Sequence, residues 1–536
     1  MPDAVVIGAG HNGLVAANIL ADEGWDVVVL EATAAPGGAV RTGEITVPGF
    51  HHDLFSAFYP LAAASPVLAP LALDQYGLVW RHAPLVVAHA LPNGKAVAVS
   101  RDLDQTAASL DADHPGDGDR WRQMFAKWRR IRQPLMDAFL RPFPPLRPAT
   151  RLAAALGPAE MVRFARQMVL PVTRLGEELF EGSGAPLLLA GNALHADIAP
   201  DAAGSAVFGW LLSCLAQDVG FPVPEGGAGR LIAALVGRLR ARDGQVHFNR
   251  PVAQVVVRRG RAVAVRTAAG DEIDVRKAVL AAVSAPALYL DLVDSGHMAA
   301  DVLADVRRFQ WDPATVKVDW ALSAGVPWKA AALGDAGTIH VADDLDNAVE
   351  HAAEMAMKRL PSRPFLIFGQ QAKADPTRAP SGADTAWAYT HVPRTIRTDG
   401  AGVLNPEGER WLDGFVERME DRVEELAPGF RERIVGRHVF SPASLERTNA
   451  NLHGGAINGG TAQLHQQLMF RPVPGWGRPE TPIARLYLAS SSAHPGGGVH
   501  GAPGANAARA ALLAGPAVRS VVLGRGKVGD RFRRHR

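Results

Sequence analysis

Cysteine is nearly absent from the sequence, and this restricts the chemistry of the chain. Cys214 is the only cysteine among 536 residues. A single cysteine excludes an internal disulfide, a C-x-x-C redox pair and a metal site built from several cysteines. Because it lies in the apolar run LLSCLAQ, we expect Cys214 to be a buried residue of a helix.

Long apolar runs are also missing. No stretch of about 18 consecutive apolar residues occurs, so the sequence predicts no transmembrane helix. The first strand-like pattern begins at about Ala4, which leaves no room for a signal peptide, and we expect a cytoplasmic location. Residues 158–181 predict a helix that packs its apolar side on the core, with a membrane-surface helix as the alternative. The basic residues 525–536 indicate either a solvated tail or contact with an anionic membrane surface.

The charges of the chain nearly balance, and the sequence lacks the catalytic motifs of hydrolases. The chain carries 56 Lys and Arg against 54 Asp and Glu, a net charge of +2, which does not indicate a nucleic-acid partner. It has no H-E-x-x-H zinc motif and no convincing Ser/His/Asp arrangement, and we predict no metal site. At 536 residues, two or three domains are expected.

The first clear motif lies in the opening run AVVIGAGHNGLVAANILADEGWDVVVLEA, which begins at Ala4. A strand, a glycine turn, a helix and a second strand follow one another, which is the context in which G-x-G-x-x-G binds a dinucleotide. Gly8 permits the tight turn, Gly10 lets the backbone approach a pyrophosphate, and Gly13 allows the helix to pack on the strand. Glu31 can accept hydrogen bonds from a ribose diol, which argues against NADP. NAD and FAD are both compatible with these residues.

A second glycine turn distinguishes the two cofactors. The run ATAAPGGAVRTG contains Gly37 and Gly38 and then Arg41. A glycine pair soon after the ribose acid resembles the amine-oxidase and phytoene-desaturase superfamily of FAD enzymes. There the loop runs under the pyrophosphate and toward the flavin ring. The resemblance implies that Arg41 is a partner for phosphate or flavin, with a surface arginine as the alternative.

Two later segments resemble the remaining pieces of such an FAD domain. In residues 222–285, which alternate short strands and turns, the resemblance implies that Val252 brackets the adenine through main-chain groups. The closing run RLYLASSSAHPGGGVHGAPG predicts a strand, a glycine loop and a helix from about Val499. The resemblance implies that this helix N-terminus, with Ser491 and Gly498 before it, faces the flavin and stabilises negative charge there.

The sequence therefore predicts an α/β fold (α+β overall). We expect a Rossmann-like FAD/NAD(P)-binding domain of the glutathione reductase and amine oxidase type with an inserted substrate domain. The discontinuous cofactor domain is assigned residues 1–84, 222–285 and 480–536. The substrate domain with its helical cap is assigned residues 85–221 and 286–479.

The closing motif, together with LHGGAINGG and MFRPVPGW, resembles the phytoene-desaturase-like branch over nearly the full length of the chain. Within that branch the sequence is similar to bacterial relatives of pyridine nucleotide-disulfide oxidoreductase domain-containing protein 2. Ser490, Ser491 and Ser492 stand where many flavoproteins carry an acidic residue that contacts the ribityl chain. We expect serine hydroxyls or backbone groups to substitute for it. The single cysteine cannot perform the disulfide chemistry that the family name suggests.

Lys317 and His494 are the candidate catalytic residues. Lysine is scarce, and Lys317 lies in the strand-like run TVKVDWAL, shortly before Trp328. Resemblance to flavin amine oxidases implies a lysine that holds a water near flavin N5, and burial would lower its pKa. A lysine on the wet face of a half-exposed strand is the alternative. His494 flanks the glycine loop and is a candidate for hydrogen bonding or proton transfer, with a structural loop residue as the alternative.

His500 flanks the same glycine loop and is a candidate for the same roles. Candidates for lining the active site come from the stretch before the last strand and are Asn458, Gln466, Gln467 and Arg471.

These features favour an FAD-dependent dehydrogenase or desaturase. It would transfer hydride to flavin N5 from a C–C bond of a hydrophobic isoprenoid, carotenoid-like or acyl substrate. A flavin amine oxidase is the second hypothesis, supported by Lys317. A flavin-dependent isomerase, or a partner-binding flavoprotein with little turnover, is the third. No second G-x-G-x-x-G follows a strand, so we expect O2 or a quinone as electron acceptor.

Overall fold

The computed structural model of the chain describes residues 1–91 and 94–514. The basic residues 525–536, for which a membrane contact is one prediction, lie outside this part of the chain. No helix in the described ranges is long and apolar enough to cross a membrane.

The strands of the described residues are numbered in chain order. They are β1 (Ala4–Ile7), β2 (Val27–Leu30), β3 (Thr42–Gly43), β4 (His52–Asp53), β5 (Trp80–Arg81), β6 (Leu85–Ala90), β7 (Ala96–Val99), β8 (Val223–Pro224), β9 (Gln245–His247), β10 (Val252–Arg258), β11 (Arg261–Thr267), β12 (Glu272–Asp274), β13 (Ala278–Ala281), β14 (Ala314–Leu322), β15 (Ala336–Val341), β16 (Arg359–Leu360), β17 (Leu366–Gly369), β18 (Asp384–Val392), β19 (Thr398–Asp399), β20 (Ile434–Phe440) and β21 (Leu486–Leu488).

The α-helices are numbered in the same way. They are α1 (His11–Asp22), α2 (Pro60–Ala63), α3 (Leu103–Asp111), α4 (Asp117–Leu140), α5 (Leu146–Leu156), α6 (Pro158–Gln167), α7 (Val172–Leu179), α8 (Gly184–Leu194), α9 (Ser205–Asp218), α10 (Gly229–Arg240), α11 (Ala300–Arg307), α12 (Ala331–Asp335), α13 (Leu345–Ala356), α14 (Leu412–Leu426), α15 (Pro442–Thr448) and α16 (Ala502–Leu513).

A parallel sheet of five strands has the order β21-β13-β1-β2-β9. Its strands come from the beginning, the middle and the end of the described chain. Val6 and Leu280 face a core shared with α1, α10 and α16. Val5 and Val279 face a second core shared with the three-stranded sheet β10-β11-β12. Burial on both faces explains the continuous apolar runs of these strands. The residue boundaries of the predicted domains stay a prediction.

A second sheet of seven strands has the order β20-β14-β18-β17-β15-β6-β7. Its strand pairs are antiparallel except for β6 and β15, which are parallel. All nine residues of β14 are buried because β18 and β20 flank it and both of its faces are covered. Trp320 packs with Phe415 and Met419 of α14 on one face. By the alternation of a strand, Thr315, Lys317 and Asp319 lie on the other face.

The chain between β7 and β8 forms the helices α3 to α9, and one of its segments differs from the sequence prediction. Residues 158–181 do not form a single helix: α6 ends at Gln167 and α7 begins at Val172. Pro171 lies between them, and a proline removes a helical N–H and disfavours helical backbone in the preceding residue. Cys214 is fully buried in α9, in agreement with its predicted packing role.

Candidate active site

The loops that the sequence analysis singled out meet at one end of the parallel sheet. β1 leads into the first glycine turn, β2 into Glu31 and the second turn, and β21 into the loop before α16. In open α/β sheets, ligands bind in the crevice outside the carboxyl ends of the strands. Three segments that are far apart in sequence therefore border the same crevice.

The first glycine turn is closely packed on one side and open on the other. A Cβ on Gly13 would lie 2.1 Å from the Gly8 carbonyl oxygen, so only glycine lets α1 pack directly on the turn. A Cβ on Gly10 would have no atom within 4 Å. Gly10 is also the N-cap of α1, where no side chain caps the helix and its first turn has no acidic residue. The open side of the turn therefore fits an anionic group such as a phosphate.

The second glycine turn stacks on the first. The Gly37 N–H donates to the Ala9 carbonyl at 2.9 Å, and a Cβ on Gly38 would lie 3.3 Å from the Gly10 Cα. Arg41 follows this turn and donates one guanidinium N–H to the Thr448 carbonyl at 3.1 Å. Its Nε is buried without a partner, and burial lowers the pKa of Arg41 while Glu31 opposes the shift. Arg41 thus has a donor free for a ligand.

Glu31 lies beside the first turn. Its carboxylate accepts from the Ala9 N–H at 2.8 Å and from the Thr33 N–H at 2.9 Å. The Arg250 N–H donates to the Glu31 carbonyl at 2.8 Å, so the chain that enters β10 at Val252 passes the end of β2. Glu31 and Val252 therefore lie near each other at one corner of the crevice. A ribose and an adenine would lie side by side there.

The helix of the closing motif begins at Ala502, three residues after the predicted start at Val499, because Gly501 precedes it with a left-handed φ of 74°. α16 packs tightly on α1: a Cβ on Gly504 would lie 1.9 Å from the Asn12 carbonyl oxygen. His11, the first residue of α1, lies against the Gly498 backbone, and burial lowers its pKa to about 4. The N-termini of the two helices are therefore adjacent, although their sequences are almost 500 residues apart.

The crevice contains several buried polar atoms with no partner in the protein. They are His11 Nε2, Asn12 Oδ1, Arg41 Nε, Asn458 Nδ2 and His494 Nδ1. Buried polar atoms normally have hydrogen-bond partners, so this set fits a large polar ligand. Among the residues that the structure describes, no group of His, Cys, Asp or Glu is arranged to hold a metal ion.

Comparison with known proteins identifies the ligand class. The sequence profile of the flavin containing amine oxidoreductase family matches residues 13–320. The chain belongs to this family. It is an FAD-dependent oxidoreductase.

Similar proteins cover nearly the whole chain. Pyridine nucleotide-disulfide oxidoreductase domain-containing protein 2 of Rattus norvegicus is 28% identical over 94% of this chain and 92% of its own length. The neurosporene-forming phytoene desaturase of Rhodobacter capsulatus is 24% identical over 93% of this chain and 91% of its own. The solved structure of wild-type putrescine oxidase bound to putrescine matches with a TM-score of 0.58 and 17% identity, covering 95% of this chain and 98% of that chain. This last match shows the fold alone, and confirms the predicted Rossmann-like domain joined to a substrate domain.

Lys317 is buried in this flavoenzyme, with 4% of its surface exposed. Its ammonium group donates to the Asp319 carboxylate at 2.6 Å and to the Asp53 carbonyl at 3.0 Å. The second carboxylate oxygen of Asp319 is also within reach, but the two oxygens of one carboxylate lie too close together to accept from two different N–H groups. Asp319 and Asp53 therefore use two of the three N–H donors of Lys317. The rings of Trp387 and Phe440 lie on either side, each 5.8 Å from Nζ.

His494 is held in its neutral form. Its Nε2–H donates to the Arg141 carbonyl at 2.9 Å, so its Nδ1 carries a lone pair, and that atom is buried without a partner. Burial lowers the pKa of His494 to about 4, and the nearby Arg471 acts in the same direction. His500, in contrast, uses both ring nitrogens within its own loop, with the Gly497 carbonyl and the Ala502 N–H. His494 is therefore the histidine of this loop that has a free acceptor.

Arg471 connects the segment 457–461 to the loop between β21 and α16, residues 489–501, which we call the flavin-side loop. Its fully buried guanidinium donates to the carbonyls of Ser491 at 2.7 Å, Thr461 at 2.8 Å and Gly459 at 3.0 Å. Burial lowers the pKa of Arg471 to about 10, opposed by Asp312 and Asp197, so it stays charged at neutral pH.

The opposite side of the same segment is held by Asp312. Its buried carboxylate accepts from the N–H groups of Ile457 at 2.7 Å, Asn458 at 2.8 Å and Gly460 at 3.0 Å. One peptide segment is thus fixed by a cation on its carbonyls and an anion on its amides; we call this arrangement the Arg471–Asp312 clamp. The sequence analysis did not find Asp312, because its partners lie about 145 residues further along the chain.

The side chains of Gln466 and Gln467 also form hydrogen bonds with backbone groups of this region. Gln466 accepts from the Gln310 N–H at 2.8 Å and donates to its carbonyl at 2.7 Å. Gln467 donates to the Thr461 carbonyl at 2.9 Å. Neither side chain therefore has the unpartnered atoms that Asn458 and His494 show.

An aromatic wall on the seven-stranded sheet was not predicted from sequence. Tyr389 is the only residue of β18 that is not buried, although β18 lies between β14 and β17. Tyr389 therefore keeps some accessible surface in the middle of the sheet. Trp387 stacks on Tyr389 with ring centroids 6.0 Å apart, Phe58 contacts Trp387 at 6.0 Å, and His391 contacts Tyr389 at 5.7 Å. Alternate strand residues that are aromatic are the only sequence signal for such a wall.

Proposed function

We propose that the protein is an FAD-dependent dehydrogenase of the desaturase type. Its substrate would be an uncharged hydrophobic molecule, such as an isoprenoid, a carotenoid-like compound or an acyl chain. The observation that carries this proposal is the aromatic wall of Phe58, Trp387 and Tyr389, beside which the Lys317 ammonium is paired with Asp319.

The position of the wall supports this use. Phe58 and Leu61 are close in sequence; Phe58 contacts Trp387, whereas Leu61 touches Gly498, since a Cβ on Gly498 would lie 2.7 Å from Leu61 Cδ1. The segment 58–61 therefore connects the wall to the flavin-side loop. Burial lowers the pKa of His391, so the wall stays uncharged at neutral pH. Apolar surface of this kind stabilises a bound hydrocarbon by about 25 cal/mol per Å² removed from water.

The proposed reaction removes one hydride and one proton from adjacent carbons, which leaves a C=C bond. Bound flavin supplies the acceptor for the hydride and its two electrons. His494 Nδ1 is our candidate for receiving the proton, because it is an unpartnered acceptor in the flavin-side loop. α16, whose N-terminus has no side-chain cap and no acidic residue in the first turn, would stabilise negative charge on the flavin. The Arg471–Asp312 clamp would hold the loop in place.

A flavin amine oxidase is the second candidate. It is supported by the position of Lys317 between the rings of Trp387 and Phe440, next to the proposed substrate space. The ion pair of Lys317 with Asp319 weighs against it, because the charge of the lysine is already paired within the chain. For either reaction we propose O2 or a quinone as electron acceptor, since the sequence has no second dinucleotide motif.

Anaerobic mixing of the holoenzyme with a panel of polyenes, a cyclic monoterpene, a fatty acyl compound and primary amines tests the proposal. We expect loss of the flavin visible absorption with one of the apolar compounds and not with the amines. Bleaching by amines alone would contradict the desaturase assignment, and no bleaching by any compound would favour an isomerase or a partner-binding role.

Tyr389 provides a matched pair of variants for the same assay. Tyr389→Ala removes aromatic surface and should weaken apolar substrate binding by about tenfold or more, whereas Tyr389→Phe keeps it and should not. Equal effects of the two substitutions would show that the hydroxyl group, rather than the apolar wall, binds the substrate.

A further inference from the structure

An exposed apolar segment lies immediately before Arg471. Leu464, Leu468, Met469 and Phe470 are 38%, 43%, 40% and 40% exposed, which is unusual for four large apolar residues within seven positions. Leu468 has a φ of 55°, in the left-handed region that large side chains rarely adopt. The chain thus accepts an unfavourable conformation where it presents apolar side chains to solvent.

Apolar residues from the helical region extend this segment into a continuous face. The Phe143 N–H donates to the Gly477 carbonyl at 3.1 Å, and a Cβ on Gly477 would touch both Phe143 and the Met469 backbone. Leu146, at the start of α5, is 70% exposed. We call this set the 143–146/464–470 face. Exposed apolar groups that are contiguous in this way mark interaction sites.

The border of the face is positively charged. Arg141, Arg147 and Arg151 are exposed and lie on the same stretch of chain as Phe143 and Leu146. None of the three forms a salt bridge to a carboxylate in residues 1–91 and 94–514. Their charges are therefore available to an anionic partner.

Hydrogen bonds connect the border of this face to the flavin-side loop and to α16. Arg141, which borders it, accepts the His494 Nε2–H at 2.9 Å through its carbonyl. The Asn506 amide of α16 donates to the neighbouring Leu140 carbonyl at 3.0 Å. Arg471, directly after Phe470, holds Ser491. A partner that docks on this face would thus lie next to residues that themselves contact the flavin-side loop.

We propose that the 143–146/464–470 face docks on an anionic phospholipid bilayer. Exposed apolar side chains would enter the interface while the unpaired arginines bind lipid phosphates, the combination that gives peripheral membrane binding. The inference rests on the geometry of the face and not on the identity of the oxidised substrate. The face is formed by other residues than the two stretches that the sequence indicated.

Vesicle flotation with the full-length holoenzyme tests the proposal. The probes are vesicles of phosphatidylcholine alone and of phosphatidylcholine with phosphatidylglycerol. We expect flotation with the anionic vesicles, which weakens as salt is raised. Two variants should each reduce it by about tenfold or more: Leu468→Ser/Met469→Ser/Phe470→Ser, and Arg147→Glu/Arg151→Glu.

Exposed residues outside the face supply matched controls. Val403, which is 79% exposed, and Arg240, which is exposed on α10, should tolerate Val403→Ser and Arg240→Glu without loss of flotation. An unchanged flavin absorption spectrum shows that each variant is folded. Because the charge variant lies on α5, it tests the proposal even if the triple variant fails to fold.

The scarcity of cysteine allows a direct measurement of contact. Cys214 is fully buried, so a polarity-sensitive dye would label only the thiol introduced by Met469→Cys or, as control, Val403→Cys. We expect a blue shift with anionic vesicles for the first variant and none for the second.

Three results would overturn the proposal. The first is flotation that neither variant reduces but that Arg533→Gln/Arg534→Gln/Arg536→Gln abolishes, which would assign the contact to residues 525–536. The second is absence of binding to anionic vesicles. The third is concentration-dependent self-association that the triple variant removes, which would make the face an interface between copies of the chain.

Discussion

Lys317 and Asp319 form a buried ion pair on one face of a single strand. Both side chains are almost completely buried, and the carboxylate is also 3.6 Å from His52 Nδ1. Burial raises the pKa of Asp319 to about 6, whereas Lys317 lowers it. The pair is therefore in a site where either charge alone would be unfavourable.

Replacing Lys317 tests this description at the residue scale. Lys317→Met leaves the Asp319 carboxylate unpaired and should lower the free energy of unfolding by about 3–5 kcal/mol. Lys317→Met/Asp319→Leu removes both charges and should recover part of that loss. Denaturant unfolding of the three proteins measures it. If the single variant is as stable as the parent but no longer reduces or reoxidises its flavin normally, Lys317 has the catalytic role that the sequence indicated.

The sequence predicted the strand around Lys317 but not the partners of the lysine. Asp319 is two residues away, so the pairing depends only on which face of β14 is buried. That both faces are buried depends on α14, which packs on one face, and on the segment around Asp53, which contacts Lys317 on the other and lies 264 residues before it. Local sequence patterns cannot show which distant segments of the chain will bury a strand.

At the scale of structural elements, the Arg471–Asp312 clamp connects the flavin-side loop with the segment 457–461. Arg471→Met would leave the Asp312 and Asp197 carboxylates without their cation, in a place where burial raises the pKa of Asp197 well above its usual range. We expect the variant to be less stable by about 3–5 kcal/mol. We also expect FAD to bind more weakly, because Ser491 loses its anchor.

Thermal unfolding and FAD titration of the apoprotein measure the two effects separately. Arg471→Lys keeps the charge but not the forked donor geometry, and should recover stability only in part. A variant that loses stability while binding FAD with unchanged affinity would show that the clamp supports the fold and does not position the loop.

Elements with strong local patterns were predictable, and those that depend on tertiary contacts were not. The strand–turn–helix of residues 4–22 and the strand before the closing glycine loop follow from buried apolar runs and glycine spacing. The single helix predicted over residues 158–181 was wrong because a proline divides it. The aromatic wall was missed since it joins side chains of Phe58 and Trp387, which no local period relates.

At the scale of the whole molecule, buried histidines make stability depend on pH. Burial lowers the pKa of His11, His89, His195 and His494 to about 4, and of His52, His351 and His500 to about 3. In the unfolded chain a histidine titrates near 6.5. Between these values the unfolded chain binds more protons, so the free energy of unfolding falls as pH falls.

We expect full stability above about pH 6.5 and a loss of about 1.4 kcal/mol per pH unit for each such histidine on acidification toward pH 4. Denaturant unfolding at several pH values measures the slope. His89→Gln should make it shallower, whereas substitution of the exposed His247 should not. A free energy of unfolding that stays constant down to pH 4.5 would contradict this account.

The cofactor and the general fold could be predicted from the sequence, because the spacing of the glycines in the two turns reveals their geometric roles. The substrate could not be predicted, because its binding depends on how the seven-stranded sheet faces the flavin-side loop. The central claim is that FAD lies with its pyrophosphate over the open side of Gly10. FAD titration of two apoprotein variants tests this most directly.

Gly10→Ala adds a methyl group where no protein atom lies within 4 Å, so the apoprotein should keep its stability. Its affinity for FAD should fall by about tenfold or more, equivalent to about 1.4 kcal/mol. Gly13→Ala, in contrast, would place a methyl group 2.1 Å from the Gly8 carbonyl oxygen and should destabilise the apoprotein itself. An unchanged FAD affinity in Gly10→Ala would contradict the proposed position of the cofactor.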